Sequence, residues 1–242
     1  MGRTLPRSFT VLGRRMPVVV GAITAATLVL TILAHNSRLV FETLVLSPDR
    51  VWAGELWRLV TWVFVVPDPI GLLFGCLAMV LWFGPDLVGA WGPRRFLSVY
   101  LGLAAASGAV TSLLARLLAP RLLGNVYAGW WPMIDALIIA WALIFPFRDL
   151  YLFFVLPLRG LNLVYGTIGI TLLFAMLPFN LFGFLPHFVA EGLMLASVRW
   201  SPRDLWLRLR YRFLTRKLWS PPSHLRPVQR HRREDEPPRW LH

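Results

Sequence analysis

A helix that crosses a bilayer needs about 20 consecutive apolar residues. This chain offers six stretches near that length: residues 17–34, 70–90, 96–118, 129–145, 160–177 and 179–198. Such boundaries carry a margin of about 2–4 residues. Pro85 and Asp86 interrupt the second stretch near its end. Hydrophobic residues make up 57% of the chain and charged ones 15%, against about 25% charged in soluble domains. A soluble globular fold and a disordered chain are therefore both excluded. The expected fold class is an all-α integral membrane protein, a six-helix bundle with no room for a soluble domain between spans. A single cysteine, Cys76, excludes a disulfide framework and a cysteine-based zinc finger.

The first stretch has a competing reading as a secretory signal peptide, because Arg14 and Arg15 precede its apolar core. The core is long and no small-residue cleavage site follows Leu33, so a retained helix is preferred. Lys and Arg concentrate on the cytoplasmic side of membrane proteins. With six spans, twenty of the twenty-five basic residues share one side. They include Arg94, Arg95, Arg148, Arg159 and twelve residues from Arg199 onward. Only Arg38, Arg50, Arg58, Arg116 and Arg121 fall opposite. Both termini are expected in the cytoplasm, and the expected location is a bacterial inner membrane.

Three segments follow: a basic cytoplasmic N-terminus at 1–15, a six-span membrane domain at 16–199 and a basic cytoplasmic tail at 200–242. The first external loop, residues 36–69, mixes Trp52, Trp57 and Trp62 with Leu and Val, a pattern that predicts amphipathic helices lying in the interface. The tail interleaves Trp206, Tyr211 and Phe213 with Arg208, Arg210 and Arg212 over 200–219, which predicts a surface helix on anionic lipid. Residues 220–242 are Pro-rich and charged and are expected to be disordered. Nucleic acid is the lesser candidate for a net charge of +13 in a membrane protein.

The stretch Gly54-Glu55-Leu56-Trp57-Arg58-Leu59-Val60-Thr61 resembles the Trp-Arg loop motif of rhomboid proteins, which derlins share. Trp82-Phe83-Gly84 and Trp91-Gly92-Pro93-Arg94-Arg95-Phe96-Leu97 resemble the end of rhomboid span two and the turn into span three. Ala142-Leu143-Ile144-Phe145-Pro146 and Phe153-Phe154-Val155-Leu156-Pro157 resemble the exit of span four and the approach to span five. The resemblance covers about residues 54–196. It implies the rhomboid bundle, whose active members are intramembrane serine proteases.

In that family a Gly-x-Ser-Gly serine opens span four, a histidine sits in span six, and a His-x-x-x-Asn pair in span two steadies the oxyanion. The hydroxyl needs a base to take its proton, and the oxyanion needs placed donors. Family spacing puts the serine at Trp131, with Pro132 in place of the next glycine. The asparagine and histidine of span two fall at Gly75 and Gly71. His187, in Pro186-His187-Phe188-Val189-Ala190, matches the family histidine. One of the four positions is retained, so no enzymatic activity is expected.

Ala105-Ala106-Ser107-Gly108 mimics the protease motif but lies in span three, one span too early. Its small residues suit close helix packing instead. Trp130, Trp131 and Tyr127 read either as an aromatic belt or, for Trp131, as filler of a former active-site cavity. Arg58, with Glu55 and Trp57, reads as a structural motif that bonds loop carbonyls. Asp135 lies four residues after Trp131, and Glu191 four after His187, so each pair shares a helix face. These polar residues are expected to meet inside the bundle as a clasp between spans four and six, with no metal. No Walker loop, dinucleotide fingerprint or His-Glu-x-x-His occurs, and no cofactor is expected.

What the resemblance implies is a non-proteolytic protein that binds transmembrane helices of other membrane proteins, for recognition or assembly or as a subunit of a membrane complex. Its binding face would lie between spans two and five, lined by Leu72, Cys76, Met79 and residues 160–177. Two alternatives stay open: an active protease using an unaligned serine, and a small transporter or proton conduit using Asp135 and Glu191.

Overall fold

A computed structural model describes residues 8–11, 14–118, 120, 123–152, 156–177 and 181–199. The tail, expected as an amphipathic helix and a disordered end, lies outside the described residues.

Each apolar stretch of the sequence contains a long helix. These are α1 (Val18–Asn36), α5 (Pro69–Leu77) running through a π-helical turn (Ala78–Phe83) into α6 (Gly84–Trp91), α7 (Pro93–Leu118), α8 (Trp131–Ile144), α9 (Gly160–Met176) and α10 (Leu185–Arg199). Three are long and apolar enough to cross a membrane: Val18–Asn36, Pro69–Trp91 and Pro93–Leu117. The apolar helices Trp131–Ile144 and Gly160–Met176 are shorter.

Local chemistry sets several boundaries. Gly129 has φ +111°, a left-handed conformation that ends any helix there, so α8 starts at Trp131 and not at 129. Asp68 caps α5 by accepting from the Gly71 N–H, and Pro69 takes the first helical position, where a missing N–H costs nothing. Pro85 does not end the second long helix. The preceding turn widens to the π form instead, and the Gly84 N–H reaches back to Met79 O. A Cβ on Gly84 would collide with that carbonyl and with Val20 of α1.

The fold is mostly helical but not all-α. Two antiparallel hairpins flank helices: β1 (Ser8–Val11) with β2 (Arg14–Pro17), and β3 (Asp149–Leu152) with β4 (Leu156–Arg159). The first falls where only a basic N-terminus was expected. Between α1 and α5 run α2 (Arg38–Leu44), α3 (Pro48–Trp52), α4 (Arg58–Thr61) and a 3-10 turn (Trp62–Phe64). The core gathers on α8, whose Met133, Ile134, Leu137, Ile139 and Trp141 are fully buried, together with Trp62, Met79, Phe96 and Tyr100. α8 packs chiefly on α10 and α9.

Candidate functional site

A helix ends with four carbonyls that lack intrahelical partners. At the end of α2 the Trp-Arg motif supplies donors to them. Arg58, 5% exposed, donates through Nη1 to Glu42 O at 2.5 Å and Val45 O at 2.8 Å. Trp57 Nε1 donates to Thr43 O at 3.2 Å, and Thr61 Oγ1 to Leu44 O at 2.7 Å. Four consecutive carbonyls are thereby satisfied by side chains from one four-residue turn and the residue before it. Glu55 neutralises the guanidinium, its Oε2 lying 2.7 Å from Nε and 2.6 Å from Nη2. The motif is a structural knot between α2 and α4. The neighbouring Asp49 carboxyl is held below its usual range, first by the Ser47 hydroxyl and then by the Arg50 N–H.

Three of the four positions expected from family spacing, 71, 75 and 131, come together where α5 passes the start of α8. Gly75 is buried against the Trp130 indole, and a Cβ there would collide with the ring at Nε1, Cε2 and Cζ2. A Cβ on Gly71 would meet the Asp68 carboxylate and, at 2.6 Å, Trp131 Nε1. Two indoles thus occupy the side-chain volume of the two span-two positions. Trp130 is fully buried, and its N–H has no hydrogen-bond partner among the described residues; packing alone holds it. An aromatic belt at the membrane surface does not describe this residue. Nor does it describe Tyr127, which is buried and donates its hydroxyl to Phe182 O at 3.2 Å.

One turn further along α8 lies Asp135, the first of the polar residues. His187 Nδ1 and Asp135 Oδ2 are 2.7 Å apart, joining α10 to α8. Glu191, one turn further along α10, does not complete that pair. It is buried and accepts from the Thr171 hydroxyl at 2.7 Å, which ties α10 to α9. Ser107 is fully buried on α7, and its hydroxyl donates to Pro186 O at 3.0 Å. Its single proton serves a backbone carbonyl next to His187, not the imidazole. Among the described residues no group of three or more His, Cys, Asp or Glu is placed to hold a metal.

Trp131 leans toward α5, so it leaves the space beside His187 open. A cavity of about 460 Å³ remains there, lined by Trp62, Asn125, Tyr127, Pro132, Pro186 and His187 among others. Of the residues expected to line a face between spans two and five, Leu72 and Cys76 are half-buried, whereas Met79 is fully buried in the core and cannot serve as surface. Met79 lies four residues after Gly75 and eight after Gly71, both buried, so it belongs to the inward face of this helix although it is also seven residues from Leu72. Exposed apolar residues on these helices include Ile70 and Leu73 of α5, and Tyr165, Ile170 and Leu173 of α9.

One cluster escaped the sequence. Asp86 Oδ2 accepts from Trp141 Nε1 at 2.9 Å and from Arg148 Nη1 at 2.8 Å. Arg148 lies over the Trp141 and Phe145 rings at 5.9 and 5.6 Å. This pins α6 to the end of α8. The available signal was an acid inside one apolar stretch and an arginine just past another.

Residues 53–197 match the rhomboid domain family, and the chain belongs to that family. A comparison with curated proteins finds no match.

Proposed function

We propose that this rhomboid-family protein is not a protease and instead binds transmembrane segments of other membrane proteins. It would act in their recognition or assembly, or as a subunit of a membrane complex. In this reading all six long helices cross the membrane, both termini are cytoplasmic, and the basic tail rests on anionic lipid. α8, α9 and α10 are short for a span of about 30 Å, a mismatch that local thinning of the bilayer accommodates.

One observation carries the loss of proteolysis. Trp131 stands at the serine position, and the indoles of Trp130 and Trp131 take the volume at Gly75 and Gly71 where oxyanion donors would be needed. Losing even one such donor costs about 10²–10³ in rate. The exposed apolar residues of α5 and α9 offer the surface for a partner helix.

The first test is a fluorophosphonate probe together with cleavage of rhomboid reporter substrates. The wild type and Trp131→Ser both stay unlabelled and inactive. Labelling of the wild type that disappears in His187→Ala would overturn the non-proteolytic reading. For binding, photo-cross-linking residues at Leu73 and Leu173 are expected to give discrete protein adducts, and one at exposed Val29 of α1 only lipid. Identical lipid-only patterns at all three sites refute the binding face.

A further inference from the structure

A second cavity, of about 570 Å³, opens between α2 and the Trp-Arg motif. Part of its lining is apolar: Leu39, Phe41, Val45 and Trp57, of which Leu39 is 74% exposed and Trp57 48%. Leu56, between Glu55 and Trp57, is exposed as well. Leu and Trp side chains presented this way suit the level where a bilayer's acyl chains meet its headgroups. The charged members of the lining are Glu42, Arg50, Glu55 and Arg58. Glu42 is taken by Arg38 at 2.6 Å. Arg58 is buried and spends its donors on two carbonyls and on Glu55 Oε2. That leaves Arg50 and Glu55 Oε1, which face each other at 3.5 Å, beyond the roughly 2.7–2.9 Å of a closed charge-assisted bond. It is the one ion pair of the Arg50 guanidinium among the described residues, and that side chain is 62% exposed. Asp49, next in sequence, turns its carboxylate to the Ser47 hydroxyl and the Arg50 N–H instead. The cavity thus holds a guanidinium and a carboxylate oxygen that are neighbours without being closed on each other, beside an apolar rim.

We propose that this cavity binds the headgroup of a phospholipid that carries a primary amine, the phosphatidylethanolamine class. Its phosphodiester oxygens accept from Arg50, whose planar fork of donors matches phosphate, and its ammonium donates to Glu55 Oε1. The headgroup brings one negative and one positive group, so both protein charges gain opposites and the complex adds no net charge. A choline headgroup carries the same charges but has no N–H to donate, so the carboxylate oxygen discriminates between the two. The acyl chains leave over Leu39 and Trp57. His187 does not line this cavity, and the site stands whether or not the chain binds transmembrane partners.

The test titrates the full chain in mild detergent with dioleoyl phosphatidylethanolamine or dioleoyl phosphatidylcholine and reads the first bound lipid by native mass spectrometry. The ethanolamine lipid should bind about tenfold tighter, the scale of one charge-assisted hydrogen bond. Its N,N-dimethyl derivative, which keeps one N–H, should bind like the unmethylated lipid. Arg50→Gln should weaken both lipids about tenfold and leave their ratio unchanged. Arg116→Gln, at an exposed arginine stacked on Trp52 and outside the cavity lining, should change neither. Soluble glycerophosphoethanolamine, the headgroup without acyl chains, should not displace the lipid at equal concentration; displacement would make the ligand a free phosphodiester and overturn the lipid assignment. Equal affinity for the ethanolamine and choline lipids overturns the proposal, and so does an Arg50→Gln variant that binds like the wild type. A thermal melt verifies the fold of that variant. The comparison of lipids uses the wild-type chain, so it decides even if Arg50→Gln fails to fold.

Discussion

Gly75→Ala adds one methyl group at the tightest contact between α5 and α8. In an open helix the change stabilises by about 0.5–1 kcal/mol, because glycine loses more freedom on folding. Here the new Cβ runs into the Trp130 ring, which is 0% exposed and walled by the core. Overpacking of this kind costs about 1–3 kcal/mol. The clash exceeds the propensity gain, leaving a net loss of about 1–2 kcal/mol, or a fall in melting temperature of about 2–8 °C for a chain of this size. Thermal unfolding in mild detergent reads it directly. Gly89→Ala and Gly102→Ala serve as controls, since nothing lies within 4 Å of a Cβ at either position; both should melt at or above the wild type. Adding Gly75→Ala to a Trp130→Leu background should cost nothing, because the ring it strikes is gone. The reasoning fails if Gly75→Ala melts like the controls, or if its penalty is the same with and without Trp130.

Arg58→Ala removes the donors to Glu42 O and Val45 O and leaves Glu55 only its 3.5 Å contact with Arg50, so a loss of about 3 kcal/mol is expected. Arg58→Lys should recover little of it, since one ammonium cannot serve both carbonyls and the carboxylate; hydrogen exchange over residues 38–45 reports the result. Asp135→Ala and His187→Ala should each lower the melting temperature in detergent, and EDTA should leave the wild type unchanged. Wild-type melting in both variants would show that the 2.7 Å contact contributes nothing, and destabilisation by EDTA would point to a bound metal. In the loop region between α1 and α5, the depressed Asp49 carboxyl contributes stability above the ordinary carboxylate range and loses it as pH falls through its lowered folded value. Amide protection factors over residues 47–53, with the intrinsic pH dependence of exchange divided out, should therefore fall in acid, and Asp49→Asn should remove that dependence.

The long helices are legible in the sequence because apolar length is a strong signal, and motif spacing singles out positions 71, 75, 131 and 187, of which the structure sets Gly71 against Trp131. It could not say which way the indoles point. Two adjacent tryptophans at a helix start satisfy an interfacial belt and a packed core equally well. Only the left-handed turn at Gly129 and the close pass of α5 settle the matter, with Trp130 on Gly75 and Trp131 at Gly71. The hairpins escaped because their strands are four residues each, too short for alternation to register. Met79 escaped because it borders two faces: it is seven residues from half-buried Leu72 and four from buried Gly75, and the second neighbour decides.

On the proposed reading, the departures from the family pattern belong together. Removing a serine alone would leave the span-two histidine and asparagine as buried polar groups without a ligand, each costing about 1–3 kcal/mol if unsatisfied. Glycine at both positions removes that cost, and the indoles fill the volume, so a polar cleft becomes core. His187 would face the same problem, since its nucleophile is gone. Asp135, one helical turn beyond Trp131, supplies the partner at 2.7 Å. What remains beside it is a cavity lined by His187, without the serine and span-two side chains that hydrolysis uses in this family. That combination favours holding a partner over cutting it, because the groups that stabilise a transition state are not in place.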